Sequence, residues 1–146
     1  MIKYLQFLII INFVFSGEIT NFNGEDWKNW NLNRKVGFID GFLNGYLTFN
    51  SLVDSTKNIE KKRNIYWLPP LIITMLDSYS EENITKISEF ESVELTKRLD
   101  AFYYEPDNYG IGINNALKII NLREIGKAKA AEDFILNCQK KYLKGR

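Results

Sequence analysis

The sequence predicts an all-α fold, a single small domain of about five helices, from two observations. Residues 33–53 and 127–143 each collect their apolar side chains on one side of a helical wheel drawn at about 100° per residue. No segment alternates apolar and polar residues between hairpin turn signals, as an antiparallel sheet would require. We therefore divide the chain into a leader, residues 1–16, and one helical domain, residues 17–146.

The leader has the pattern of a secretory signal peptide. Lys3 precedes an apolar run that ends at Phe15, and Val14 and Ser16 supply small residues at the −3 and −1 positions of a cleavage site. The run has about 11 residues, whereas a membrane-spanning helix needs about 20. We expect export, with cleavage near Ser16 and Gly17 giving a periplasmic or secreted protein. Retention of the leader as an N-terminal anchor is the alternative.

Charge and residue types exclude several functional classes. Without the leader the chain keeps 18 basic and 18 acidic residues, because Lys3 is the only charged residue removed. This balance argues against a nucleic-acid-binding protein and against adhesion to anionic membranes. Because the chain has no histidine and only one cysteine, Cys138, it lacks the usual zinc ligand sets and Ser-His or Cys-His catalytic sets. We expect no cofactor, no internal disulfide and no transmembrane segment in the mature chain.

The first long helix is predicted to begin at Leu32, with Asn31 as its N-cap, and to end at about Val53. Residues 17–30 contain two tryptophans and are predicted to be irregular. Residues 54–65 are polar and either extend the helix into solvent or form a loop. One half of the helical wheel is apolar and rich in aromatic residues, and it is expected to face the core: Phe38, Phe49, Phe42, Val53, Tyr46, Ile39, Leu43, Val36 and Leu47.

Proline residues divide the middle of the chain. Pro70 favours a short buried helix over residues 71–76, although β-branched residues there leave a strand as the alternative. Residues 80–92 are polar and are predicted to be mostly loop. A helix is predicted over about Val93–Tyr104, and it should stop before Pro106 because the residue preceding a proline avoids the helical region.

Two helices are predicted in the C-terminal part. Asn114 is a candidate N-cap for a short helix over Asn115–Leu122. The last helix, residues 127–143, has a narrow apolar stripe and lysines near its C-terminus, which suit the helix dipole. Cys138 lies centrally on that stripe, so we expect a buried and unreactive thiol.

Three glycines spaced four residues apart mark one edge of the first long helix. Each costs up to about 1 kcal/mol of helix stability relative to alanine, so something is expected to approach that edge closely. A neighbouring helix or loop, or else a ligand or partner protein, would explain them. The candidate partner-binding residues are this edge, the polar residues beside it, and a tyrosine that falls off the apolar stripe of its helix: Gly37, Asp40, Gly41, Asn44, Gly45, Thr48 and Tyr104.

Acidic residues flank the two aromatic clusters. Paired carboxylates beside exposed aromatic rings can cleave a glycosidic bond, but no spacing here places two acids on one face of a groove. Solvated charges, with Asp26 capping a turn, are the simpler interpretation. The acids concerned are Glu25, Asp26 and Asp40 near the first cluster, and Asp100, Glu105 and Asp107 near the second.

Two stretches resemble known exported bacterial proteins. The sequence KVGFIDGF at residues 35–42, in an N-capped helix after an aromatic segment, resembles the Tai-like group, periplasmic immunity proteins against type VI secretion amidase effectors. The sequence FYYEPDN at residues 102–108, followed by Ala116-Leu117, is similar to uncharacterised exported proteins of this size. The resemblance covers roughly residues 24–50 and 99–120. It implies a small helical fold and inhibition through protein–protein contacts.

Together these observations predict an exported binding or inhibitor protein that is not an enzyme. Its partner is expected to be another protein or a component of the cell envelope, and an immunity-type inhibitor is one form this could take. A carboxylate-dependent hydrolase of envelope glycans and a carrier of a small apolar ligand are the alternatives. The sequence leaves the partner and the oligomeric state open.

Overall fold

The computed structural model describes residues 22–144, so the predicted leader and its cleavage site lie outside the described residues. In this range the chain forms six α-helices, two short 3₁₀ turns and no strand, which confirms the predicted all-α fold. The helices are α1 (Gly24–Asn29), α2 (Leu32–Arg63), α3 (Leu71–Asn83), α4 (Ser92–Phe102), α5 (Ile113–Glu124) and α6 (Ala128–Lys144), with 3₁₀ turns at Ile87–Glu89 and Pro106–Asn108.

Helix α1 lies where the sequence predicted irregular chain, so that prediction was wrong for residues 24–29. Asn23 Oδ1 accepts the N–H groups of Glu25 (2.9 Å) and Asp26 (3.3 Å), while Asp26 Oδ2 accepts the Asn23 N–H at 3.0 Å. This reciprocal cap starts the helix and confirms that Asp26 caps a turn. Six residues are too few to show a helical period in the sequence. The helix is stabilised by tertiary packing, because the Trp27 side chain is buried in the core and only 1% exposed.

Helix α2 begins as predicted and then runs through the polar segment. Asn31 Oδ1 accepts the Arg34 N–H at 2.9 Å, which confirms the predicted N-cap. The helix continues to Arg63, so residues 54–63 extend it instead of forming a loop. Of the two alternatives for this segment, the extended helix is the correct one.

The core-facing side of α2 is apolar only in the first half of the helix. Ile39 and Leu43 are buried, but on later turns the same side carries Asn50, Asp54 and Lys57. The large apolar side chains of the second half lie about 100–180° away around the helix. These side chains are 45–64% exposed: Phe49, Leu52 and Ile59. The prediction that Phe49 and Leu47 face the core was therefore wrong, because Leu47 is also 49% exposed.

Helix α3 is longer and more exposed than predicted. Its first residues Leu71, Ile72 and Met75 are 75%, 57% and 59% exposed, so the expectation of a short buried helix was wrong. Because α3 runs to Asn83, the segment predicted as loop is also partly helical. Helix α3 packs on α5 through its C-terminal part, while its N-terminal part extends away from the core.

The exposed helical segments form one projection, which we call the arm. It comprises the second half of α2 (residues 44–63), the connecting turn (residues 64–70, the tip) and α3. Lys57 Nζ lies 2.6 Å from Asp77 Oδ1 and 3.3 Å from Asp54 Oδ1, and these carboxylates raise the pKa of Lys57. This ion pair joins the two helices of the arm.

The core lies between α1, the first half of α2, α4, α5 and α6. Helix α4 matches its predicted position; Phe102 and Tyr103 are buried beside its end, whereas Tyr104 is 81% exposed, as expected from the wheel. The Tyr103 hydroxyl donates to the Ile111 carbonyl at 2.8 Å, and burial raises the pKa of Tyr103 above its ordinary value. The largest fully buried side chains are Trp27, Ile39, Ile87, Leu95, Leu99, Ile111, Ile113, Leu117 and Ile119.

Helix α5 begins before the predicted cap. Gly112 occupies the N-cap position and its carbonyl accepts the Ala116 N–H at 3.0 Å. The Ile113 N–H donates to the Phe22 carbonyl at 2.8 Å, so the chain before α1 ties down this helix end. Asn114 lies inside the helix, so its predicted role as N-cap was wrong. The start of α5 is fixed instead by the hydrogen bond to Phe22, which is far away in the sequence.

Helix α6 matches its predicted position to within a residue. Ala131 and Ile135 are buried on its apolar stripe, whereas Cys138 is half-buried and packs against the edge of the core. Burial raises the pKa of the Cys138 thiol, which lowers its reactivity at neutral pH. None of the helices within residues 22–144 is both long and apolar enough to cross a membrane.

Candidate functional site

A groove of about 620 Å³ opens between α2, α3 and α5 at the base of the arm. Its floor is mainly apolar and aromatic, and its rim carries asparagine side chains and one lysine. The lining residues are Gly37, Phe38, Gly41 and Phe42 from α2; Tyr79, Asn83 and Ile84 from α3 and its end; and Asn114, Asn115, Leu117 and Lys118 from α5.

Helix α2 presents bare backbone to the groove. A Cβ atom placed at Gly37, Gly41 or Gly45 would have no neighbouring atom within 4 Å beyond its own helical turns, counting residues 22–144. The interpretation that another helix or loop of this chain packs on the glycine edge is therefore wrong for the part of the chain that the structure describes. The edge is open, and two of its three glycines line the groove.

Alanine substitutions at two helical glycines, Gly24 and Gly41, are expected to change the free energy of unfolding in opposite directions. A Cβ at Gly24 would lie 2.5 Å from the Tyr103 ring and 2.8 Å from Tyr109 Cα, so Gly24→Ala should lower the free energy of unfolding by about 1–3 kcal/mol. Gly41→Ala should raise it by about 0.5–1 kcal/mol, because alanine favours the helix and meets open space. Urea unfolding of both variants checks this. A destabilising Gly41→Ala would contradict an open edge.

The facing wall of the groove is held in place by one buried asparagine. Asn121 on α5 donates from Nδ2 to the Glu81 carbonyl at 3.0 Å, and its Oδ1 accepts the N–H groups of Lys86 (2.9 Å) and Ile87 (3.2 Å). These bonds join the end of α3 and the following turn to α5. They set the position of Tyr79 and Asn83 across from the glycine edge.

Three polar residues lie at the rim of the groove, whereas Asn83 is buried in its wall. Asn114 and Asn115 are exposed on the first turn of α5, and among residues 22–144 Lys118 is the one charged residue that lines the groove. Lys118 Nζ lies 5.0 Å from the centre of the Phe134 ring, a cation–π contact that keeps it beside α6. The arrangement suits a segment with a large apolar side chain, whose backbone could bond to the amides at the rim.

The structure separates the seven predicted site residues. Gly37 and Gly41 line the groove, whereas Asn44, Gly45 and Thr48 are exposed on α2 outside the lining. Two more lie elsewhere. Asp40 accepts a hydrogen bond from the Ser92 hydroxyl at the start of α4, and Tyr104 is exposed beyond the end of α4.

Four of the six acids considered for hydrolysis hold structural contacts, and one of them is Glu25, whose Oε1 accepts the Tyr142 O–H at 2.9 Å. Asp26 caps α1, and Asp40 bonds to Ser92. Asp100 Oδ1 lies 2.7 Å from Lys35 Nζ and accepts the Trp27 Nε1–H at 2.9 Å. No acidic residue lines the groove, and residues 22–144 contain no group of three histidine, cysteine or acidic side chains placed to hold a metal ion.

Sequence reasoning missed every groove residue outside α2. Asn114 was considered only as a helix cap, and Tyr79 and Lys118 carried no local signal. Their proximity to the glycine edge depends on the packing of α3 against α5. The Asn114-Asn115 pair inside a helix, where asparagine is unfavourable, was the only hint.

Comparisons with known proteins do not extend this description. The chain matches no protein-family model, and searches of curated proteins and of solved structures also find no match. The resemblance to Tai-like proteins therefore stays a prediction from short sequence stretches.

Proposed function

We propose that this chain is an exported binding or inhibitor protein, and that the groove beside the glycine edge receives an apolar segment of a partner protein. The open edge formed by Gly37 and Gly41 is the observation that carries this proposal. Two mid-helix glycines that pack against no part of residues 22–144 weaken the helix without improving the core. They do let a bound segment approach the α2 backbone.

The chemistry of the groove favours a protein partner of amphipathic character. Phe38, Phe42 and Tyr79 offer large apolar contact area, which dominates many protein interfaces. Asn114 and Asn115 supply amide donors and acceptors at the rim. This combination matches groove-type recognition of an apolar side chain with hydrogen bonds to the neighbouring backbone.

Export rests on the sequence of the leader. The cation, the apolar run and the small residues before Gly17 support secretion, and the balanced charge of the remaining chain supports free diffusion after cleavage. The resemblance of residues 35–42 to Tai-like immunity proteins supports an inhibitor role, with an envelope enzyme as partner. An adjacent toxin or amidase gene would strengthen that form of the proposal.

Site-specific photocrosslinking tests the groove directly. A benzophenone amino acid replaces Gly41 in the groove or, as the matched control, Leu136, which is 51% exposed on α6. Irradiation in the producing cells should give an adduct with a second protein at position 41 and little at position 136. Mass spectrometry then identifies the linked peptide.

The result that would overturn the proposal is equally specific. If position 41 gives no adduct with another protein, or the same adducts as position 136, the groove does not receive a partner protein. An Asn115→Ala variant should weaken a true adduct without unfolding the chain, because the Asn115 side chain is exposed at the rim.

The volume of the groove supports a second candidate function, that of a carrier for a small apolar ligand. A pocket of about 620 Å³ lies within the range of about 300–1,000 Å³ that binds small molecules. Native mass spectrometry of the purified chain distinguishes the two functions. A bound species of a few hundred daltons that is lost in Phe42→Asp would support the carrier, and its absence would remove that candidate.

A further inference from the structure

The end of the arm exposes a set of large apolar side chains. Ile65, Tyr66 and Leu68 of the tip are 81%, 85% and 81% exposed. Three more exposed apolar residues follow on the first turns of α3, within an arc of about 100° around the helix. Together these residues form what we call the apolar patch: Ile65, Tyr66, Leu68, Leu71, Ile72 and Met75. Patches of this kind mark sites that contact another protein or a membrane.

Charge is absent from the apolar patch and concentrated beside it. Residues 64–76 contain no charged side chain, whereas residues 61–63, which we call the basic cluster, have the sequence Lys-Lys-Arg and end α2. The two lysines are exposed and form no ion pair within residues 22–144, while Arg63 Nη1 lies 3.3 Å from Glu60 Oε1. Cations in a last helical turn also suit the helix dipole, but that role does not require an exposed apolar turn next to them.

The backbone of the tip is suited to surroundings without water. Asn64 Oδ1 accepts the Tyr66 N–H at 3.0 Å, and the Asn64 carbonyl accepts the Trp67 N–H at 2.9 Å. Pro69 and Pro70 have no N–H group. An unpaired backbone group costs free energy when it leaves water for lipid, so a turn with few free N–H groups enters a bilayer at lower cost.

We propose that the apolar patch docks this chain on a membrane whose surface carries anionic phospholipids. The patch enters the boundary between headgroups and acyl chains, where tyrosine and tryptophan side chains are favoured, and the lysines of the basic cluster contact lipid phosphates. The carboxylates nearest to the patch, Glu60 and Asp77, are both paired with cations. The unpaired charges beside the patch are therefore positive, which matches an anionic surface.

The whole-chain charge balance averages over this separation of charges. That balance was the reason for expecting no adhesion to anionic membranes, but contact with a surface depends on the groups at the point of contact. The attachment is peripheral and reversible. It goes beyond the proposed function and changes one part of it, because an exported chain docked in this way is held at a membrane face instead of diffusing freely.

Membrane docking leaves the groove accessible. Gly41 and Arg63 are 22 residues apart on α2, which corresponds to about 33 Å at about 1.5 Å per residue. The groove therefore lies well away from the tip along the same helix. A partner protein can bind there while the tip is in contact with lipid.

Quenching of tryptophan fluorescence tests insertion of the tip directly. Of the three tryptophans, Trp27 and Trp30 are buried in the core and Trp67 lies in the tip. Vesicles of equal parts phosphatidylcholine and phosphatidylglycerol, brominated on their acyl chains, should quench the emission of the chain, and Trp67→Phe should abolish the quenching. A retained leader does not affect this readout, because residues 1–21 contain no tryptophan. Quenching that persists in Trp67→Phe would contradict insertion of the tip.

A charged residue in the apolar patch should prevent insertion. Leu68→Asp is expected to remove the quenching of Trp67, because it places a carboxylate where the acyl chains begin. Leu143→Asp on α6 is the matched control, since Leu143 is 70% exposed and lies outside the arm. The control should be quenched like the parent chain. Far-ultraviolet circular dichroism of both variants should match that of the parent.

Reversal of the basic cluster tests the choice of an anionic surface. The double variant Lys61→Glu, Lys62→Glu should need at least about tenfold more lipid for half-maximal quenching, as should the parent chain with vesicles of phosphatidylcholine alone. The double variant Lys140→Glu, Lys141→Glu makes the same change to two exposed lysines near the C-terminus of α6. It should shift the lipid requirement by less than about twofold, because charges distant from the membrane are screened by salt.

Three results would overturn the membrane proposal. Anionic vesicles that leave the Trp67 emission unchanged would do so, as would a charge reversal on α2 that weakens quenching no more than the reversal on α6. The third is the absence of quenching together with a protein adduct from a benzophenone amino acid at Tyr66 in the producing cells, which would make the patch a protein interface. Photocrosslinking at position 41 tests the groove independently of these results.

Discussion

Replacing Asn121 with alanine is expected to lower the free energy of unfolding by about 3–5 kcal/mol. Asn121 is fully buried, and its amide makes three hydrogen bonds to the backbone of residues 81, 86 and 87. The truncation would leave those backbone groups without their partner, and one of them, the Ile87 N–H, belongs to a fully buried residue. Urea unfolding measures the change.

Asn115→Ala provides the control for this prediction. It is the same substitution on the same helix, but the Asn115 side chain is exposed, so a change within about 0.5 kcal/mol is expected. If Asn121→Ala were as mild as the control, the asparagine would not be holding α3 against α5. The position of the groove wall would then need another explanation.

Replacing Trp27 with alanine is expected to cost about 3–5 kcal/mol, the usual range for a large aromatic residue in a core. Trp27 is 1% exposed and its ring lies 5.7 Å from the Trp30 ring and 6.5 Å from the Tyr103 ring. Its Nε1–H donates to Asp100, which also pairs with Lys35. The substitution would remove core volume and one partner of this network together.

Two further variants separate these contributions. Trp27→Phe keeps most of the apolar contact but loses the N–H donor, so a smaller loss, about 1–2 kcal/mol, is expected. Tyr66→Ala removes an aromatic residue that is 85% exposed, and it should leave the stability of the monomer nearly unchanged. Thermal unfolding at low protein concentration compares all three. Equal losses for Trp27→Ala and Tyr66→Ala would contradict the assigned core.

Features that depend on neighbouring residues were predictable from the sequence. The start of α2 follows from Asn31, because an N-cap bond joins residues three positions apart and needs no distant partner. The position of α6 follows from a regular apolar stripe. The wheel of α4 also separated exposed Tyr104 from buried Tyr103.

Burial along α2 and α3 was not predictable in the same way. A wheel shows which side of a helix is apolar, but it does not show where a neighbouring element will cover that side. Ile39 is fully buried in the part of α2 where Lys35 and Asp40 bond to α4, whereas Phe49 lies farther along the helix and stays 45% exposed. Helix α1 was missed for a related reason, since Trp27 is held by Asp100, 73 residues away.

The sequence by itself determined the helical class, the starts of α2, α3 and α6 and the glycine edge, because capping and amphipathic periodicity act within a few residues. The tertiary structure alone decided that this edge is open and that Tyr79, Asn83 and Lys118 surround it. The physical reason is that the groove is a space between three helices. Its shape depends on the bonds of Asn121 across 34 to 40 residues of chain, which no local pattern encodes.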